Sequence, residues 1–150
     1  MEKVVLPNEV LLDEVAQLLN EGRDVVMTPK GNSMFPFIRG EVDRVRLQKP
    51  TGLQVGDIVL ACFGGCYVLH RLIAMDGERI TLMGDGNLQG SESGLRSEVV
   101  GKVTEIITPS GHQRRPSRGR LWRKLLPVRK YLLKLHRKWN KWFGKQQNNN

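Results

Sequence analysis

Asp57-Ile58-Val59-Leu60-Ala61-Cys62-Phe63-Gly64-Gly65-Cys66-Tyr67-Val68-Leu69-His70-Arg71-Leu72-Ile73 holds the pattern that decides the fold. Two short apolar runs rich in β-branched and aromatic residues flank a Gly-Gly pair, and glycines supply the positive φ values that a tight hairpin needs. The stretch therefore predicts two antiparallel strands. Working outward, the same pattern recurs in Asp24-Val25-Val26-Met27-Thr28, Arg44-Val45-Arg46-Leu47, Arg79-Ile80-Thr81-Leu82-Met83 and residues 99–107, with Asp76-Gly77 marking a second hairpin. Ahead of these strands, Val10, Leu11, Val15, Leu18 and Leu19 recur at helical spacing between start signals at Pro7 and Asn8 and a stop at Asn20-Glu21-Gly22. The expected body is mainly antiparallel β with one N-terminal helix.

The chain has 150 residues, 39% of them hydrophobic, which suits one domain with an appendage. Its net charge of +9 is unevenly placed: residues 1–108 carry 11 Lys+Arg against 15 Asp+Glu, and residues 109–150 carry 13 Lys+Arg with no acid. The basicity belongs to the tail, which argues against a nucleic-acid-binding body. Cys62 and Cys66 flank the Phe63-Gly64-Gly65 turn, where a disulfide would have poor geometry and a metal ion too few ligands, so both read as plain strand residues. Residues 1–7 hold no apolar run of signal-peptide or membrane-span length, which makes the cytoplasmic side the default expectation.

Residues 109–120 have linker composition, and residues 146–150 are polar, low in complexity and expected to be disordered. Between them, Leu121, Leu125, Val128, Leu132, Leu135, Trp139 and Trp142 form one apolar stripe at alternating spacings of four and three. Arg and Lys residues border it. An amphipathic basic helix over 121–145, with Pro127 kinking it or marking its start, fits the surface of an anionic membrane. Packing on the body or on a protein partner is the second reading. Nucleic acid ranks last, because phosphate contacts need the charges but not the leucines.

Few residues of the body offer chemistry. A serine needs a base within hydrogen-bond reach and amide donors for the oxyanion. Ser33, in Gly31-Asn32-Ser33-Met34-Phe35-Pro36, follows a strand and has Gly31 before it to permit an unusual backbone. His70 is the one histidine of the body, since His112 and His136 fall in the linker and the tail. Asp85 lies between Gly84 and Gly86 after a strand, where a carboxylate can orient an imidazole. Taken singly, these residues read equally as a turn serine, a packed strand histidine and an Asp-Gly turn. Asp57 reads as a turn residue opening a strand.

Their order carries more information. Ser33-Met34-x-Pro36, Gly56-Asp57-Ile58-Val59, His70-Arg71 and Gly84-Asp85-x-Asn87 resemble the successive motif boxes of type I signal peptidases and the related self-cleaving SOS-repressor peptidases, over roughly residues 24–107. The resemblance implies a signal-peptidase-like antiparallel β fold and a serine endopeptidase that needs no metal or cofactor. The base is a lysine in the bacterial branches and a histidine in the endoplasmic-reticulum and archaeal-like branch, so it implies Ser33 as nucleophile, His70 as base and Asp85 as orienting acid.

Three departures stand against the pattern. The usual Ser-x-Ser-Met is Gly31-Asn32-Ser33-Met34, which removes a hydroxyl from the oxyanion hole and leaves more of that task to the Ser33 amide. The family's further acidic position has only Glu92 as a distant substitute. The amino-terminal anchor is absent, and the basic tail is the expected replacement. The rival expectation is a non-catalytic module that keeps the fold and tethers a polypeptide at the membrane. A DNA-linked regulator is a third, but residues 1–23 offer one helix only, too little for a helix-turn-helix.

Overall fold

Residues 4–5, 9–86 and 90–119 are described by the computed structural model. The predicted helix over 121–145 and the tail at 146–150 lie outside them. The chain divides after Arg118, and the fold set out below is that of the first unit.

The hairpin read from the sequence forms the middle of the sheet. β4 (Ile58–Phe63) pairs antiparallel with β5 (Cys66–Asp76) across the Gly64-Gly65 turn, and β5 pairs with β6 (Arg79–Met83) across Gly77. β2 (Val25–Thr28), β3 (Arg44–Gln48) and β8 (Val99–Ile107) complete the predicted set, and α1 (Glu9–Asn20) is the predicted helix. Three short strands were not expected: β1 (Val4–Val5), β7 (Glu92–Leu95) and β9 (Gln113–Arg114). The sheet order is β1-β2-β3-β8-β4-β5-β6-β7, with β9 on the far end of β8, and every pairing except the parallel β1–β2 contact is antiparallel.

Register shifts at Arg46/Leu47, Leu60/Ala61 and Leu72/Ala74 bend the strands, and the sheet curls into a half-barrel. Strand alternation then sorts the apolar residues. Ile58 and Leu60 pack with Val45, Leu47 and Ile106 on the face that also receives Val15 and Leu19 of α1. Val59 and Ala61 pack with Leu72, Ile80 and Leu82 on the other. β4 is thus buried on both faces, which explains why its sequence is a continuous apolar run without polar alternation. Each of the Val, Leu and Ile side chains among them contributes about 1.5–3 kcal/mol by leaving water.

Residues 109–118, read as a linker from composition, belong to the body. β9 pairs Gln113 with Ile107 and Arg114 with Ile106, and Arg114 Nη2 donates to the Phe37 carbonyl at 2.6 Å. Composition missed this because the segment is held by backbone pairing, by its own Arg114 and by Arg71 of β5, which leave no apolar period.

Between β2 and β3 the chain makes a loop anchored by buried Met34 and Ile38 and closed by Asp43. The Asp43 carboxylate accepts the Arg39 amide at 2.8 Å and the Arg39 guanidinium at 2.9 and 3.3 Å. Burial pushes the Asp43 carboxyl up, but hydrogen bonds and charge from Arg39 outweigh it and leave its pKa below the ordinary value. A carboxyl lowered in the folded state stabilises the fold fully above its unfolded value near 3.8 and loses that contribution as the pH falls through the folded value. Asp43→Asn is expected to lower stability by about 1–2 kcal/mol at pH 7. In urea melts, the gap to wild type should shrink below about pH 4.

Candidate active site

Ser33 lies in the β2–β3 loop at a turn fixed by its neighbours. Gly31 takes φ +73°, a left-handed conformation that suits glycine, and the Asn32 side chain accepts the Gly40 amide at 3.2 Å. Gly86 comes from the other side: its amide donates to the Ser33 carbonyl at 2.8 Å, and a Cβ on Gly86 would stand 2.5 Å from the Asn32 carbonyl oxygen. The loop carrying Asp85 therefore packs directly on the turn carrying Ser33. The Ser33 amide donates to no backbone carbonyl among the described residues.

Asp85 does not serve His70 as the sequence led one to expect. Its carboxylate is 1% exposed and is gripped by Arg71, whose Nε lies 2.9 and 3.0 Å from the two oxygens and whose Nη2 lies at 2.7 Å. Arg71 is fully buried; Nη1 donates to the carbonyls of Gly56 and Ser117 at 2.7 Å each, and the guanidinium lies 4.9 Å from the Phe37 ring centroid. The physical reason is strand alternation: adjacent residues of β5 point to opposite faces, and Asp85 lies on the Arg71 side. A buried guanidinium also demands a full set of acceptors, and a paired carboxylate is the strongest available.

Glu92 stands where Asp85 was expected. His70 Nδ1 lies 2.8 Å from Glu92 Oε2, and the imidazole is 7% exposed. The register accounts for the contact. Leu72 pairs with Leu82 and Leu82 with Glu92, so Glu92 shares a face with Leu72 and with His70 two residues away. β6 ends at Met83 opposite Arg71, which opens the path between the two side chains. A carboxylate only accepts, so Nδ1 is the donor in this contact, which in a neutral imidazole makes Nε2 the acceptor nitrogen.

Ser33 and His70 line the same cleft, of about 340 Å³, together with Lys30, Met34, Tyr67 and Leu69 among others. Its wall is braced by Tyr67, whose hydroxyl donates to Asp13 Oδ1 of α1 at 2.5 Å. Burial raises the Tyr67 pKa above its ordinary value, and the Asp13 contact adds to the shift. No hydrogen bond joins Ser33 to His70 among the described residues. The arrangement brings a serine and a carboxylate-bound histidine to one cleft.

Asp57 is the turn residue that was expected, with Oδ2 accepting the Gln54 amide at 2.8 Å. Cys62 lies in β4, Cys66 opens β5, and both thiols are free. Among the described residues no group of three or more His, Cys, Asp or Glu is placed to hold a metal ion.

No family model and no curated protein matches the sequence.

Arg71→Met takes from buried Asp85 the guanidinium that grips it and removes the donor from two carbonyls. A loss of about 3–5 kcal/mol in denaturant unfolding is expected, with part of it recovered in Arg71→Met/Asp85→Leu.

Proposed function

We propose that the chain is a serine endopeptidase of the signal-peptidase type that uses Ser33, His70 and Glu92. The observation that carries this reading is that Ser33 and His70, from separate segments, line one cleft while Nδ1 of the imidazole is committed to a carboxylate. The ordered boxes of the sequence support the same reading. Ser33 Oγ attacks the peptide carbonyl as His70 Nε2 takes its proton, and the Ser33 amide stabilises the oxyanion. His70 then returns the proton to the leaving amine, and water repeats the sequence to free the enzyme. Glu92 orients the ring and stabilises it when charged, while Asp85 has a structural task through Arg71.

In this reading the substrate is a polypeptide, and the amphipathic basic segment at 121–145 holds the enzyme at an anionic membrane on the cytoplasmic side. Among the described residues, no helix is long and apolar enough to cross a membrane. The second reading, a non-catalytic module that binds a polypeptide in the same cleft, draws on the missing Ser33–His70 hydrogen bond.

A serine-reactive fluorophosphonate probe separates the two. Wild type is expected to label, and Ser33→Ala and His70→Ala are expected to stay unlabelled. Labelling that survives Ser33→Ala removes the serine from the mechanism. Folded protein of all three kinds that neither labels nor cleaves peptides points to the binding module. Glu92→Gln should slow labelling at least about tenfold with little change in melting temperature, because Glu92 is partly exposed and its role lies in the tautomer. Asp85→Asn should instead lower the melting temperature by several degrees, through the loss of a buried charge pair.

A further inference from the structure

A second cleft, of about 440 Å³, lies on the face of β3 and β8 turned away from α1, and it shares no lining residue with the Ser33 cleft. Alternation places Arg46 and Lys102 on this outer face, because Leu47 and Val103 point into the core. The segment carrying Arg115 and Arg118 forms the opposite wall. The lining thus holds four cations against the carboxylates of Asp57 and Glu105, in a body whose first 108 residues carry more acid than base.

The ion pairs leave this excess uncancelled. Arg46 Nε and Glu105 Oε2, at 3.2 Å, neutralise each other. Asp57 must serve the rest. Its Oδ2 already accepts the Gln54 amide at 2.8 Å, while Lys102 Nζ stands 3.4 Å from Oδ2 and Arg118 Nη1 stands 3.5 Å from Oδ1. Both distances exceed the 2.7–2.9 Å of a well-made charged hydrogen bond. Arg115 has no acidic partner among the described residues. Two cations therefore share one carboxylate, and a third has none. An ammonium has three donors and a guanidinium five, and besides Asp57 the contact made by these three side chains among the described residues is that of Arg118 Nη1 with the Val55 carbonyl at 3.4 Å.

We propose that this cleft binds a phosphate-type anion, bridged between Lys102 of β8 and Arg115 and Arg118 of the crossing segment. A tetrahedral phosphate, free or as the ester of a headgroup, offers the charge and the number of acceptor oxygens that the three cations lack. Binding joins the sheet to the segment that precedes the 119–150 unit. It needs no catalysis at Ser33, so it stands or falls apart from the peptidase reading.

The test is a titration of isotope-labelled full-length protein with inorganic phosphate at constant ionic strength, with chloride as the control, reading backbone amide shifts. Saturable shifts at Lys102, Thr104 and Ser117 that chloride does not reproduce are expected. Lys102→Gln/Arg115→Gln should weaken them at least about tenfold, Arg115→Gln alone at least about threefold, and Arg79→Gln on β6 not at all. Shifts that fail to saturate, that chloride matches, or that persist unchanged in the folded double variant overturn the proposal. Vesicles of phosphatidylcholine with and without phosphatidylglycerol identify the source. Protection of the Lys102 and Thr104 amides by the anionic vesicles alone assigns a lipid headgroup, and a response confined to free phosphate assigns a soluble anion.

Discussion

The guanidinium of Arg71 lies wholly out of water, and its partners are drawn from four different parts of the chain. Asp85 takes its charge, the carbonyls of Gly56 and Ser117 take both Nη1 protons, and the Phe37 ring lies beside it. Removing such an ion from water costs several kcal/mol unless its donors and its charge are all met. The fold can bury Arg71 only when four segments are in place together. Its worth lies in that requirement more than in net stability, because it forbids arrangements in which one segment has slipped.

The candidate site inherits its geometry from this requirement. His70 is the neighbour of Arg71 on β5, so locking the arginine to one face delivers the imidazole to the other. Asp85 is held by Arg71, and the amide after it reaches the Ser33 carbonyl, so the turn presenting Ser33 is referenced to the same ion pair. Two carboxylates divide the labour: Asp85 orders the scaffold, and Glu92 orders the imidazole.

Much of the fold was legible because it follows from short-range rules. Gly64-Gly65 and Asp76-Gly77 announced the hairpins, the β-branched runs announced the strands, and the spacing of Val15 and Leu19 announced the helix. β1, β7 and β9 escaped notice because each is two to four residues long and exists by pairing with a neighbour. Glu92 was reachable only as a distant match for that reason: its strand, Glu92-Ser93-Gly94-Leu95, has no apolar alternation. That Ser33 and His70 come to one cleft was the expectation drawn from the order of the boxes, and both line it. The sequence showed that positions 70 and 71 face apart, but which carboxylate each takes depends on where β6 stops, and no local pattern encodes that.

The bond from Arg71 to the Ser117 carbonyl spans 46 residues and sets an order in time. As the chain leaves the ribosome, Ser33, His70 and Glu92 all emerge before the residue that supplies the last acceptor of the buried guanidinium. Until it arrives, burying Arg71 leaves one Nη1 proton unanswered, and contacts this distant in sequence close slowly. A nascent chain thus holds every residue of the cleft well before the cleft can settle, and the cleft's completion is tied to the completion of the body.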